Sequence, residues 1–167
     1  LSLISEIITI ISHFDFPDKW PALMRNLTSV LNEEQELPTI YAVLSTSSQI
    51  LKRYERSSSS DPVYRQIDDI VQYWGETLIN LFTEILPKQQ ECEALEDCFN
   101  FCFQIIRSLC AIDMPKYILA NIDKFFAIYH NFFGLDGCEK IKITLCMIMK
   151  QYFIRYTYEI GHWGQSE

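Results

Sequence analysis

Glycine and proline are scarce in this sequence, with 5 glycines and 6 prolines among 167 residues. Because both residues interrupt helices, their scarcity favours long helices. Long uninterrupted apolar runs are also missing. The best candidate, FNFCFQIIRSLCAI, is too short to cross a bilayer and contains Gln104 and Arg107. We therefore expect no membrane insertion.

Basic residues are outnumbered, with 14 lysines and arginines against 22 aspartates and glutamates and a net charge of -8. A nucleic-acid-binding protein needs a basic surface that displaces counterions from phosphates, so we expect no nucleic-acid partner. An acidic surface fits a basic protein partner, or it serves only to keep the protein soluble. The composition, 49% hydrophobic and 22% charged, is that of a globular chain.

Residues that carry catalysis or bind metals form no recognisable group. His13, His130 and His162 lie far apart, and none accompanies a serine or cysteine in a nucleophile motif. Cys98 and Cys102 would share a helix face, but the sequence contains no C-x-x-C pair of the kind that binds structural zinc. There is no glycine-rich phosphate loop. We expect neither an enzyme nor a cofactor.

The cysteines fall within apolar helical patterns. We expect them to be buried thiols of a reduced, intracellular protein, in the cytoplasm or the nucleus. The six are Cys92, Cys98, Cys102, Cys110, Cys138 and Cys146.

Apolar residues recur with a helical period along almost the whole chain, and no segment alternates as a strand would. The spacing predicts an all-α fold. Seven helices are expected, over residues 3–14, 20–31, 37–54, 62–86, 91–112, 118–133 and 138–158.

Prolines separate the first two of these helices. In HFDFPDKWPALM, Pro17 ends the first helix, and Pro21 suits the first position of the second, where its missing N–H has no partner in any case. Phe14, Phe16 and Trp20 in this short turn are expected to pack into a core that both helices share.

A serine-rich loop separates the third and fourth helices. The run RSSSSDP ends in a helix-start signal, with Asp61 as the N-cap residue and Pro62 at the first helical position.

Pairing the helices after the first gives three helix–turn–helix units that begin near residues 20, 62 and 115. This spacing is close to the period of HEAT-type repeats and predicts an α-solenoid of about three helix pairs plus one preceding helix. A globular helical bundle fits the periodicity equally well. Because the first helix has no partner before it, we expect residues 1–167 to be a segment of a longer array.

The cluster KRYER is the one basic patch in the acidic sequence, and it contains Lys52, Arg53 and Arg56. Cations at the end of a helix stabilise its macrodipole, which explains the patch without any partner. The same three residues could instead bind an acidic site on a protein partner.

Three stretches, DFPDKWPALMRNL, VLSTSSQILKRYE and IDDIVQYWGETLINLF, resemble the N-terminal part of the importin-beta superfamily, and most closely its CAS-type exportins. The resemblance extends over about residues 1–86. A D-[FY]-P-x-[KR]-W-P element of that superfamily is matched by Asp15, Phe16, Pro17, Lys19, Trp20 and Pro21.

This resemblance implies a HEAT-repeat solenoid whose first, third, fifth and seventh helices line the inner face, with Ran-GTP and importin-alpha as partners. It implies nuclear export of importin-alpha by a non-enzymatic receptor that shuttles between nucleus and cytoplasm. Two alternatives remain, an importin of the same superfamily and a helical-repeat scaffold outside transport. Lys52, Arg53 and Arg56 are the residues expected to contact a partner.

Overall fold

The computed structural model describes residues 2–33, 36–90 and 92–160, and the side chains of residues 3–33, 36–90 and 92–154. Within these ranges the chain forms α-helices joined by turns and contains no strand, so the predicted all-α class is confirmed. The α-helices are α1 (Ser2–Asp15), α2 (Leu23–Glu33), α3 (Leu37–Leu51), α4 (Asp61–Asn80), α5 (Glu93–Leu109), α6 (Lys116–Ala120), α7 (Ile122–Gly134) and α8 (Glu139–Ile160).

The helices stack in two layers. In the first layer α1 packs against α3, α3 against α5, and α5 against α8. In the second layer α2 packs against α4, α4 against α6, and α6 against α7. Contacts between α2 and α3, between α4 and α5, and between α7 and α8 join the layers. This row of helix pairs confirms the predicted solenoid, and the first, third, fifth and last helices share one layer as expected.

Aromatic rings fill the space between the layers. The Phe82 and Phe103 ring centroids are 4.6 Å apart, and the Phe103 and Phe132 centroids are 5.1 Å apart. Nearby, the buried Trp74 indole N–H donates to the Met24 carbonyl over 3.3 Å, so its polar atom is satisfied. Large apolar side chains therefore hold α2, α4, α5 and α7 together.

The turn between α1 and α2 differs from its prediction. Phe16 is buried and Trp20 packs partly against the core, but Phe14 is 80% exposed. The main contacts of α1 are with α3, and they leave the Phe14 ring uncovered. Pro21 lies in the turn, because α2 begins only at Leu23.

Two helix boundaries in the middle of the chain also differ. The third helix changes to a 3₁₀ segment, Lys52–Arg56, before the serine loop. Ser60, not Asp61, is the N-cap residue of α4, and Asp61 occupies the first turn, where a carboxylate is favoured by the helix dipole.

The fourth helix ends irregularly. It widens into a π-helical turn, Leu81–Ile85, and closes with a 3₁₀ turn, Leu86–Lys88. Pro87 has no N–H to donate to the carbonyl of Thr83, four residues earlier, so the regular α-helical pattern cannot continue through it.

The prediction of a single helix over residues 118–133 is wrong, because the helix is interrupted at Asn121. The Asn121 side-chain N–H donates to the Tyr117 carbonyl over 2.9 Å, and its backbone leaves the helical region with φ -117° and ψ 21°. An asparagine side chain competes for backbone groups in this way. The fifth helix, predicted over residues 91–112, is shorter and spans Glu93–Leu109.

Only half of the cysteines behave as predicted. Cys98, Cys102 and Cys110 are buried, whereas Cys138 is half-exposed, and Cys92 and Cys146 are exposed. His162 lies outside the described part of the chain. The same holds for the side chain of Tyr156, a residue that the apolar pattern placed on the last helix. None of the described helices is long and apolar enough to span a membrane.

Candidate functional site

Two grooves open on the solvent side of the first layer, which we call the first-layer face. Helical periodicity brings one strip of each helix to this face, because the other strips pack against neighbouring helices. The face comprises Leu37, Pro38, Tyr41, Ala42, Ser45 and Gln49 of α3, Ala94 and Arg107 of α5, and Met147, Lys150, Gln151 and Ile154 of α8, together with Ser5 and Glu6 of α1.

The first groove has a volume of about 490 Å³ and lies between α1, α3 and the start of α5. Its walls are mainly apolar, with Pro38 and Tyr41 on one side and Ala94 on the other. The Tyr41 ring is held edge-on to Phe101, with 5.4 Å between centroids. Among the described residues that line the groove, Glu6 is the one charged side chain, so this groove has an acidic rim.

The second groove has a volume of about 390 Å³ and lies between the end of α5 and α8. Arg107 and Lys150 line it beside Met147 and Ile154, and the Ile154 side chain is 70% exposed. The face is thus acidic at one groove and basic at the other, and both grooves present apolar surface that a protein partner could cover.

The predicted site lies at the end of α3, where the structure separates its members. Arg53 turns inward. Its guanidinium donates to the carbonyls of Ser12 over 3.1 Å, of His13 over 3.4 Å, and of Phe16. It also lies 5.5 Å from the centre of the Phe16 ring. A cation at the last carbonyls of α1 is favoured by the helix dipole, so Arg53 fastens the end of α1 to the end of α3.

Glu55 points away from α1 and toward α5, the next helix of the first layer. Its carboxylate accepts a hydrogen bond from Arg107 over 3.0 Å and one from the Ser108 hydroxyl over 2.9 Å. Arg107 in turn approaches the Met147 sulfur over 3.3 Å. The 3₁₀ segment therefore connects three neighbouring helices of the first layer through Arg53 and Glu55.

Lys52 and Arg56 remain exposed, and their charged groups form no hydrogen bond or ion pair with any residue that the structure describes. Between them Tyr54 is buried, and this burial raises its pKa to about 12. Two of the three predicted site residues thus present their charges to solvent, whereas the third is engaged within the fold. Whether any of them contacts a partner stays a prediction.

Sequence reasoning did not identify Arg107 and Lys150 as members of the first-layer face. Arg107 lies in α5, which is apolar around most of its circumference. A charged residue in such a helix is a sequence signal that its side chain faces solvent or an ion partner. Lys150 follows Met147 by one helical turn. Apolar and basic residues are mixed on this side of α8, so no repeating pattern in the sequence marks it as a surface.

Cys98 and Cys102 of α5 are buried thiols. Burial raises the pKa of Cys98 to about 12 and that of Cys102 well above its usual value. Both side chains are therefore neutral thiols at physiological pH and poor nucleophiles. Across the described ranges no cluster of three or more histidine, cysteine or acidic residues could hold a metal ion.

The chain is similar to known transport proteins along nearly its whole length. The importin-alpha re-exporter of Schizosaccharomyces pombe is 29% identical over an alignment that covers 92% of this chain. Exportin-2 of Dictyostelium discoideum is 20% identical over 98% of this chain. The resemblance to the CAS-type exportins is confirmed.

A solved structure shows the same fold. The exportin Cse1 in its cargo-free, cytoplasmic state superposes with a TM-score of 0.80, at 22% identity over 96% of this chain. The chain spans only about a fifth of these CAS-type proteins, with 18% and 20% of the two relatives and 20% of the solved chain covered. No protein-family model matches the chain.

Proposed function

We propose that this chain is a segment of a nuclear export receptor that carries importin-alpha out of the nucleus together with Ran-GTP. The observation that supports the proposal best is the similarity to an importin-alpha re-exporter along 92% of the chain. In this proposal the protein is a non-enzymatic carrier that moves between nucleus and cytoplasm.

A row of stacked helix pairs suits such a carrier. Each pair contacts mainly its neighbours, so small rotations at successive interfaces add up to a change in curvature. If Ran-GTP and importin-alpha both bind one curvature, each increases the affinity of the protein for the other, and this coupling is reciprocal. GTP hydrolysis would then release both partners.

Within the segment, we propose that Lys52 and Arg56 contact an acidic patch of one partner. Their charges are exposed at the end of α3, on an otherwise acidic protein. Exposed charges of this kind mainly accelerate association and fix orientation. Arg53 contributes by holding the 3₁₀ segment in place against α1.

The deciding experiment measures importin-alpha binding to the full-length protein with and without Ran locked in its GTP form. An affinity that rises with Ran-GTP is expected. An affinity that falls would indicate an importin instead, and no dependence on Ran would leave a helical scaffold outside transport.

Charge reversal then tests the contact residues. The variants Lys52→Glu and Arg56→Glu are expected to weaken binding at least severalfold and to reduce its salt dependence. Lys88→Glu is the matched control, because Lys88 is also exposed and lies in a short 3₁₀ turn, but at the far end of the fourth helix. Equal effects of all three variants would contradict a specific contact at the end of α3.

A further inference from the structure

The serine run between the 3₁₀ segment and α4 is extended and accessible. Residues 57–60 form no regular secondary structure, with φ -75° and ψ 144° at Ser57 and φ -154° and ψ 151° at Ser60. Ser58, Ser59 and Ser60 are exposed. The Ser57 hydroxyl is engaged, because it donates to the Arg53 carbonyl over 2.9 Å, whereas Ser60 makes no side-chain capping bond.

An exposed arginine precedes this run. Arg56 is three residues before Ser59, and its guanidinium has no partner among the described residues. We propose that Ser59 is a phosphorylation site for a protein kinase that recognises an arginine three residues before its target serine. A kinase binds its target as an extended segment, and it would recognise the free guanidinium with its own carboxylates.

The reaction is an ordinary phosphoryl transfer from Mg-ATP. The Ser59 hydroxyl oxygen forms a bond to the γ-phosphorus while the bond from that phosphorus to the β–γ bridging oxygen breaks. ADP leaves with the electron pair of that bond, and the hydroxyl proton passes to the catalytic aspartate of the kinase. The product is a phosphoserine in the loop.

The phosphate would change the charge at the end of α3. It adds about -1.5 to -2 units of charge at neutral pH, three residues after the exposed Arg56 and seven after the exposed Lys52. This nearly cancels the positive charge of the two cations, so their attraction for an acidic patch is lost. A regulatory effect on the acidic partner rests on the function proposed above, but the phosphorylation itself does not.

A second arginine with the same spacing to a hydroxyl residue shows whether accessibility decides which residue is phosphorylated. Arg25 stands three residues before Thr28, which gives the same spacing. Thr28, however, is buried in α2, and its hydroxyl donates to the Met24 carbonyl over 2.7 Å. If accessibility selects the target, only Ser59 is phosphorylated in the folded protein.

The test treats the full chain with Mg-ATP and an arginine-directed serine/threonine kinase, then maps phosphate by mass spectrometry. We expect phosphate on Ser59, none on Thr28, and a rate at least tenfold lower for Arg56→Gln. Ser59→Ala should remove the modification. Absence of phosphate on Ser59 would overturn the proposal, as would an unchanged rate for Arg56→Gln or modification of Thr28 first.

A second measurement separates the site from its consequence. The phosphorylated full-length protein should bind importin-alpha in the presence of Ran-GTP severalfold more weakly than the unmodified protein. If Ser59 is phosphorylated and the affinity does not change, the modification site stands and its regulation of this partner is refuted.

Discussion

Glu55 and Arg107 form an ion pair, 3.0 Å between oxygen and nitrogen, that joins the segment following α3 to the end of α5. The residues are 52 positions apart in sequence, so the pair connects two neighbouring repeats. Both side chains are mostly shielded from water, with 22% of Glu55 and 33% of Arg107 exposed. Partial shielding from water strengthens the Coulomb attraction between the two charges and reduces its screening by salt.

Removing this pair should loosen the stack. Glu55→Gln is expected to lower the free energy of unfolding by about 1–2 kcal/mol, because it weakens charge-assisted bonds to Arg107 and Ser108. Urea unfolding of the single variants and of the double variant with Arg107→Gln gives the coupling energy of the pair. A coupling energy near zero would show that the two residues contribute independently.

Arg53 and Arg56 provide a matched pair for the second prediction. Arg53→Gln should destabilise the protein by about 1–3 kcal/mol, because the carbonyls at the end of α1 lose a charged donor. Arg56→Gln, at an exposed position three residues on, should change stability by less than about 0.5 kcal/mol. Hydrogen exchange should report faster opening of α1 in the first variant only, and equal protection of α1 in both would contradict the assigned role.

The sequence sufficed to predict most of the helices and their pairing, although it joined α6 and α7 into one helix. Periodic apolar residues such as Ile67, Ile70 and Trp74 mark one buried face, and prolines mark the turns, so these features depend on local sequence. The spacing of the helix pairs and the unpaired first helix favoured the solenoid over a bundle, and the family resemblance implied the same fold.

Details that depend on distant residues were not predictable. Arg53 faces inward because its guanidinium donates to carbonyls near the end of α1. These carbonyls lie about forty positions earlier in the sequence, and a local sequence pattern does not record so distant a contact. At the break, the Asn121 side chain shares the Tyr117 carbonyl with its own backbone N–H, a local contact that helical periodicity does not record. The grooves exist only because strips of different helices come together, α1, α3 and α5 at the first groove and α5 and α8 at the second.

Gly75 is required by a close approach between α4 and α6. A Cβ at this position would lie 2.3 Å from the Tyr117 ring, far inside van der Waals contact. Gly75→Ala should therefore destabilise the protein by about 1–3 kcal/mol, despite the better helix propensity of alanine. The measurement is the thermal unfolding midpoint of Gly75→Ala, compared with that of Gly134→Ala and of the wild type.

The control and a rescue make this prediction specific. A Cβ added at Gly134 would meet no described atom within 4 Å, so Gly134→Ala should be neutral or slightly stabilising. Replacing Tyr117 by leucine should recover part of the loss in Gly75→Ala. If it recovers nothing, the clash with the ring is not the cause.

Thiol accessibility should divide the cysteines into two classes. Cys92 and Cys146 are exposed and should react with a thiol reagent at neutral pH within minutes. Cys98 and Cys102 are buried with raised pKa values, so little thiolate forms and reagent has no access until the protein opens. Quenched labelling followed by peptide mapping measures each rate. Rapid labelling of Cys102 without unfolding would contradict the assigned packing.

Buried tyrosines should make the protein sensitive to alkali. Burial raises the pKa of Tyr54 to about 12, and it raises the pKa values of Tyr129 and Tyr152 as well. An unfolded tyrosine loses its proton near pH 10, whereas the folded protein keeps it, so above pH 10 the unfolded state binds fewer protons. The free energy of unfolding is then unaffected below about pH 9 and falls as the pH rises from 10 toward 12.

Tyr54→Phe isolates the contribution of one of these groups. The phenol of Tyr54 has only a long contact, 3.5 Å, with the Gln66 side chain, so its loss should cost little stability at pH 7. Because phenylalanine cannot ionise, the variant should lose less stability than the wild type between pH 10 and pH 12. Urea unfolding monitored at several pH values, with tyrosinate absorbance recorded in parallel, measures the difference. Identical pH slopes for both proteins would show that the Tyr54 phenol ionises equally well in the folded and unfolded states.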